Sequence, residues 1–242
     1  MRILLQDISK VYQRRPVLQQ MTLTVHQGEI VGLLGPNGAG KTTTFHIATG
    51  LTKPSQGKVW LGSREITALP LHQRARLGIG YLAQDASIFR HLSVRDNLLL
   101  VMEQSRVPRQ QWYSRLANLL ADFQLEQVAD TLGMQVSGGE RRRTELARVL
   151  ATGREGPQFL LLDEPFAGID PIAVADLQRM IDRLCDRNLG ILITDHNVRE
   201  TLAITDRTYI LREGRILAAG TPSELYDNAL VRQYYLGDRF RQ

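Results

Sequence analysis

The segment Gly35-Pro36-Asn37-Gly38-Ala39-Gly40-Lys41-Thr42-Thr43 spells the spacing G-x-x-x-x-G-K-T, which is suited to holding a phosphate. Glycines let successive backbone N–H groups curl round an anion without Cβ interference. A helix starting at the end of such a loop turns its positive dipole end toward the same point. Lys41 would reach the β- and γ-phosphates, and the Thr42 hydroxyl would ligate Mg²⁺. A second set of groups follows the run Phe159-Leu160-Leu161-Leu162, where Asp163 and Glu164 stand together. Four apolar residues bury a strand and leave two carboxylates to emerge at its carboxyl end, where open α/β sheets bind ligands. Phosphoryl transfer needs a metal, an oriented nucleophile and charge stabilisation. Asp163 would hold Mg²⁺ through water. Glu164 would orient and deprotonate the attacking water, a role worth roughly 10²–10⁴-fold. An acidic pair after a strand is by itself a common helix cap; beside a phosphate loop it reads as the hydrolytic half of a nucleoside-triphosphate site.

These groups need elements to carry them. Residues 29–34 form a short apolar run suited to a buried strand feeding the loop, and residues 43–49 can continue as a helix. Residues 2–12 read as a strand, and residues 21–25 alternate apolar and polar as a half-buried antiparallel strand does. A strand at 58–61 and a helix over 69–77 precede residues 79–83, a strand that delivers Gln84. From 87 to 152 the periodicity turns helical. Ser93 is placed as an N-cap with Asp96 three residues on, and Trp112, Leu116, Leu119, Leu120 and Phe123 share one helical side. The chain then returns to a buried strand at 159–162, a helix over 172–187 and a buried strand at 190–194. A hairpin over 209–217 turns at Glu213-Gly214, and Thr221-Pro222-Ser223-Glu224 starts a short terminal helix. This is an α/β pattern with a helical lobe, about 87–152, inserted into a sheet core of about 1–86 and 153–220, with a C-terminal extension over 221–242.

At 242 residues the chain can bury one sizeable core, or a core with a smaller lobe. The single cysteine, Cys185, cannot form an internal disulfide, which fits a reducing compartment. No run approaches the length of a membrane span, and the N-terminus lacks the apolar stretch of a signal peptide. A net charge of +5 fits a solvated basic surface, with a nucleic acid or an anionic membrane face as the alternatives.

A further helix opens at Val136-Ser137-Gly138-Gly139-Glu140 and continues through Arg141, Arg142 and Arg143, which read as a solvated face. Ser137 is a good N-cap and two glycines expose the amides, so this is a second anion site. It lies in the helical lobe, away from the loop at Lys41. In a two-fold dimer each chain's Ser137 end could close over the other chain's ATP.

With these segments together the chain resembles the ATP-binding subunits of ABC transporters, a P-loop, RecA-like core with an antiparallel β subdomain and an inserted α-helical subdomain. Residues 136–140 match the family's signature motif, departing from its commonest form at Val136 and Glu140, where Leu and Gln are usual. The resemblance spans residues 1 to about 225 and implies further roles. Gln84 would sense Mg²⁺ and link core to lobe. His196 would contact the γ-phosphate. Asp170 would sit in the loop that meets the partner subunit, and Tyr12 would stack on adenine, a strand-end packing role being its alternative. Ser137, Gly138 and Gly139 would bind ATP in trans.

The wording of residues 81–94, 164–171, 194–201 and 235–241 resembles that of lipopolysaccharide export ATPases in particular, over essentially the whole chain. That resemblance implies a homodimer beneath two transmembrane permease subunits at the cytoplasmic face of a bacterial inner membrane, with an accessory inner-membrane protein. Phe89 and Arg90 would be an aromatic anchor and a charge docking the permeases, simple lobe packing being the alternative for Phe89. An ATPase of a branched-chain amino-acid importer shares the fold and much of the wording. A soluble ABC protein acting on nucleic acid would usually carry a coiled-coil insertion or a second nucleotide domain, and neither is present, so no direct nucleic-acid contact is expected.

Overall fold

The computed structural model describes residues 1–236; the end of the C-terminal extension, from Gly237 on, lies outside the described residues. In chain order the strands are β1 (Arg2–Tyr12), β2 (Arg15–His26), β3 (Ile30–Leu34), β4 (Gln56–Leu61), β5 (Arg64–Glu65), β6 (Ile79–Leu82), β7 (Phe159–Asp163), β8 (Gly190–Thr194), β9 (Arg207–Arg212) and β10 (Arg215–Gly220). The helices are α1 (Lys41–Thr49), α2 (Leu71–Arg76), α3 (Val94–Gln104), α4 (Arg109–Asp122), α5 (Gly138–Leu150), α6 (Pro171–Asp186), α7 (Val198–Leu202), α8 (Pro222–Asp227) and α9 (Ala229–Val231).

Two sheets result. One is antiparallel, in the order β2-β1-β4-β5; the other runs β10-β9-β3-β8-β7-β6, parallel except for the β9–β10 hairpin. Every residue of β3, β7 and β8 is buried, as expected for parallel strands covered on both faces. Alternation divides β7 between two cores. Leu160 and Leu162 face the lobe helices and α6, in one cluster with Leu98, Met102, Leu116 and Leu177. Phe159 and Leu161 face Phe45, Ile47 and Ala48 of α1 and the antiparallel sheet. Period two therefore carries Asp163 to the side of Leu161, toward the helix that begins at Lys41.

Local chemistry sets the element ends. Ser93 accepts from the Asp96 amide, Asp170 accepts from the amides of Ile172 and Ala173, and Ser137 and Thr221 form capping boxes with Glu140 and Glu224. The β9–β10 hairpin turns where expected, with Glu213 and Gly214 both at positive φ (49° and 77°), the twist that short hairpins prefer. The first hairpin differs from expectation. β2 starts at Arg15, well before the alternating stretch, because Gln13 and Arg14 take positive φ (45° and 69°) without any glycine to announce the turn. α7 and α9 are too short to show a helical period in the sequence. No helix among the described residues is long and apolar enough to cross a membrane.

Candidate active site

In the loop between β3 and α1 the Ala39 amide donates back to the Pro36 carbonyl at 3.2 Å. Gly40 caps α1 at φ 111°, with no side chain occupying the helix's first amides. A Cβ at Gly40 would come within 2.7 Å of the Leu18 side chain, so the turn that aims those amides requires glycine there. Lys41 is buried, and its ammonium donates to the carbonyls of Gly35 at 2.7 Å and Pro36 at 3.2 Å. Burial pushes its pKa down, opposed by the nearby Glu164 and Asp163 carboxylates. The ammonium is thus held at the loop by weak carbonyl partners that a phosphate would outbid.

Opposite the loop stand the carboxyl ends of β6, β7 and β8. Asp163 is buried; its Oδ2 accepts from the Tyr81 hydroxyl at 3.4 Å, while Oδ1 is buried without a partner. Burial and then the neighbouring Glu164 raise its pKa. An orphaned carboxylate oxygen at this depth is costly unless something else binds it. Thr42, Gln84 and Asp163 together offer a hydroxyl, an amide and a carboxylate. These hard oxygen donors suit Mg²⁺, which keeps waters and phosphate oxygens in its shell rather than needing a cage of carboxylates. Glu164 takes φ +50°, a left-handed conformation that a residue with a side chain adopts only when its surroundings hold it. Its amide donates to the Thr194 carbonyl at 2.8 Å, and its carboxylate accepts from Gln84 Nε2 at 2.9 Å and lies 2.8 Å from His196 Nε2.

Gly38, Lys41 and Thr42 from the loop, with Gln84, Glu164 and His196 from the strand ends, line one cavity of about 350 Å³. It has a helix start on one side and, on the other, a carboxylate held by Gln84 and lying beside His196. That arrangement can bind a phosphate chain and activate a water at its end.

Other expected site residues lie elsewhere in the chain. Tyr12 is exposed at the end of β1, with Lys10 Nζ 4.8 Å from its ring centre, and does not line this cavity. Ser137 is exposed, and the Glu140 carboxylate accepts from both its amide and its hydroxyl at 2.8 Å. The anion site at the start of α5 therefore already holds an anion of its own. Gly138 opens on a small cavity of about 100 Å³ shared with Gln84, Arg142 and Gly168. A Cβ on Gly139 would meet Ala173 at 2.8 Å, so that glycine serves the close packing of α5 on α6. The Asp170 carboxylate is engaged in capping α6. Phe89 is 45% exposed, with the Arg148 guanidinium 4.5 Å from its ring centre, and Arg90 is exposed beside it.

One expectation is overturned. Arg141, Arg142 and Arg143 do not form a solvated face, because Arg142 is only 6% exposed. Its guanidinium donates to the carbonyls of Ala83, Asp163, Glu164 and Pro165 and to Glu145 Oε2, at 2.9 to 3.2 Å. Glu145, also buried, accepts from the amides of Ser87 and Ile88 at 2.7 and 3.1 Å. The pair fastens α5 to the strand end that carries Asp163 and Glu164 and to the segment that carries Gln84. A signal was present: Arg142 falls on the same helical stripe as Gly139 and Leu146, which are both buried.

Residues 18–167, more than half of the chain, match the ABC transporter family. The chain belongs to that family. Among ABC relatives, a lipopolysaccharide export system ATP-binding protein, LptB, from Acidithiobacillus ferridurans is 52% identical over 236 residues, covering 98% of this chain and 97% of the relative. LptB from Escherichia coli K12 is 51% identical over 236 residues, covering 97% of each. Solved ABC cassettes share the fold. One ATP-binding cassette of an ABC transporter in its ADP conformation superposes with a TM-score of 0.86 at 23% identity, covering 98% of this chain and all of its own. A nucleotide-free cassette gives 0.85 at 22% identity, with 98% and 100% covered. The antiparallel sheet, the largely parallel sheet and the helices packed on them are the mixed α/β architecture of an ABC ATPase.

Proposed function

We propose that this chain is the ATP-hydrolysing subunit of a bacterial lipopolysaccharide exporter. The observation that carries the reading is identity to LptB at about half of all positions across nearly the full length of both chains. The cavity between Lys41 and Glu164 supplies the chemistry.

In this reading the loop amides and the start of α1 bind the phosphates, and Lys41 turns from its two carbonyls to the β- and γ-phosphate oxygens. Tyr12 would give the adenine ring a stacking surface once the Lys10 ammonium leaves its face. Thr42, Asp163 and Gln84 would hold Mg²⁺, which supplies charge neutralisation on the phosphate oxygens. As Gln84 and His196 turn toward metal and γ-phosphate, Glu164 is freed of both neighbours and can take a proton from the attacking water. The water oxygen then bonds to the γ-phosphorus as the bridging bond to the β-phosphate breaks. His196 and Lys41 stabilise the charge on the departing oxygens.

Ser137, Gly138 and Gly139 do not line this cavity within one chain. A homodimer in which each copy's α5 start covers the other's ATP would complete the site, with Asp170 near the seam. The helical lobe of residues 87–152 would rotate against the core, and Phe89 and Arg90 would receive two transmembrane permease subunits. A separate cleft of about 440 Å³ lies between α2 and the end of α3, bordered by His72, Arg76 and Arg106. The complex, with its accessory inner-membrane protein, would sit at the inner membrane with this subunit on the cytoplasmic face. Purification from native membranes tests the reading. The expected outcome is Mg²⁺-dependent ATP hydrolysis and co-purification with a permease pair whose depletion stops lipopolysaccharide reaching the outer membrane. Co-purification with permeases of a solute importer would overturn it.

A further inference from the structure

We propose that Asp195 is a positioning residue for hydrolysis, a buried carboxylate that ties the loop carrying Glu164 to the loop carrying His196 so that the main chains of the two loops move as one body. The inference rests on the ATPase reading above. Asp195 follows β8 and is 4% exposed. Its Oδ2 accepts from the Phe166 amide at 2.9 Å, and its Oδ1 accepts from the Asn197 amide at 2.9 Å. Phe166 lies two residues beyond Glu164, and Asn197 directly follows His196. On the near side of the same junction, Asp163 pairs with Thr194 in the sheet, and the Glu164 amide donates to the Thr194 carbonyl at 2.8 Å. The two loops are therefore cross-linked twice, once by main chain before the reacting groups and once by the Asp195 side chain after them. Between these ties sits the 2.8 Å contact from His196 to Glu164.

Three physical points make this more than a turn. A buried carboxylate is expensive to keep, so its place must return something in hydrogen bonds; here both acceptor oxygens are spent on main-chain amides of two different loops. Glu164 holds a left-handed backbone that persists only under restraint, and the bond to Phe166 is a restraint immediately downstream. Finally, Asp195 does not line the cavity, so whatever it contributes passes through the positions of Glu164 and His196. Asn in its place would be isosteric. Its amide oxygen could accept one of the two bonds, but its NH₂ would face the other N–H donor.

The test uses the full chain with Asp195→Asn, measuring steady-state phosphate release and ATP binding by calorimetry. The expected result is a kcat lower by on the order of ten- to a hundredfold, the loss that follows when a reacting group is misplaced by about an ångström. The Kd for ATP and the number of ATP sites per chain should stay within about twofold of wild type, because ground-state binding does not use this carboxylate. A fall in sites per chain that matches the fall in kcat would mean a structural role only and would overturn the proposal. So would a kcat indistinguishable from wild type. Should Asp195→Asn fail to fold, Asp195→Glu carries the same test, since its carboxylate keeps the charge but sits one methylene further out and displaces both loops. Absence of hydrolysis by the wild type overturns the ATPase reading and this inference with it. Normal wild-type turnover with an unimpaired Asp195→Asn overturns this inference alone.

Discussion

Replacing Arg142 by methionine separates two pictures of the helix that begins at Gly138. On a solvated face the change would alter stability by no more than about 0.5 kcal/mol. In the structure the side chain of Arg142 is 8% exposed and that of Glu145 is 2% exposed, 3.1 Å apart. Methionine would fill much of the volume but leave the Glu145 carboxylate buried without its cation, and four carbonyls without their donor. Breaking a buried pair from one side costs about 3–5 kcal/mol. For a chain of this size each kcal/mol moves the melting midpoint by roughly 2–4 °C, so the expected fall is about 6–20 °C. Scanning calorimetry of the purified chain reads it directly. Arg142→Met combined with Glu145→Leu should melt above the sum of the single effects, because no unpaired charge remains, with a coupling on the order of 1–3 kcal/mol. A single variant melting within about 2 °C of wild type, the range expected of a surface change, would refute the brace. Strict additivity of the pair would refute the shared burial.

Glu164→Gln should keep ATP binding while phosphate release falls roughly 10²–10⁴-fold, and with ATP and Mg²⁺ the chain should elute as a dimer. Elution only as a monomer would count against the site shared between copies. Glu140→Gln keeps the capping geometry that holds Ser137 but removes a negative charge from the place where the other copy's phosphate would arrive. The dimer formed with ATP should tighten by about two- to fivefold, the size of a charge effect at a helix start, as read by sedimentation; unchanged or weaker dimerisation would sink the idea. Phe89→Ala should leave the fold intact, since the ring is already 45% exposed, and should reduce recovery with the permeases by about tenfold or more. Full recovery in a pull-down would remove Phe89 from the docking surface.

Short-range spacing is the part of the site that could be read along the chain. The loop from Gly35 to Thr42 needs glycines and a helix start within a few residues of one another. The buried strands need unbroken apolar runs, and each helix start needs a cap within one turn. Such constraints are local, so Lys41, Asp163 and Glu164 could be named before any of them had a position, while Gln84 and His196 were named by resemblance to the family. What those residues meet depends on how the whole chain folds. Arg142 is charged and sits among other arginines, yet its partners are carbonyls 21 to 59 residues away, on strand ends that no local period connects to α5. Asp195 likewise gains its meaning from Phe166, 29 residues earlier. The turn at Gln13-Arg14 is bent by the pairing of β1 with β2, without a glycine to mark it. A charge is inside or outside according to which surfaces close over it. That closure depends on the whole chain's packing, because a buried ion is tolerated only where distant main-chain groups converge to replace its water.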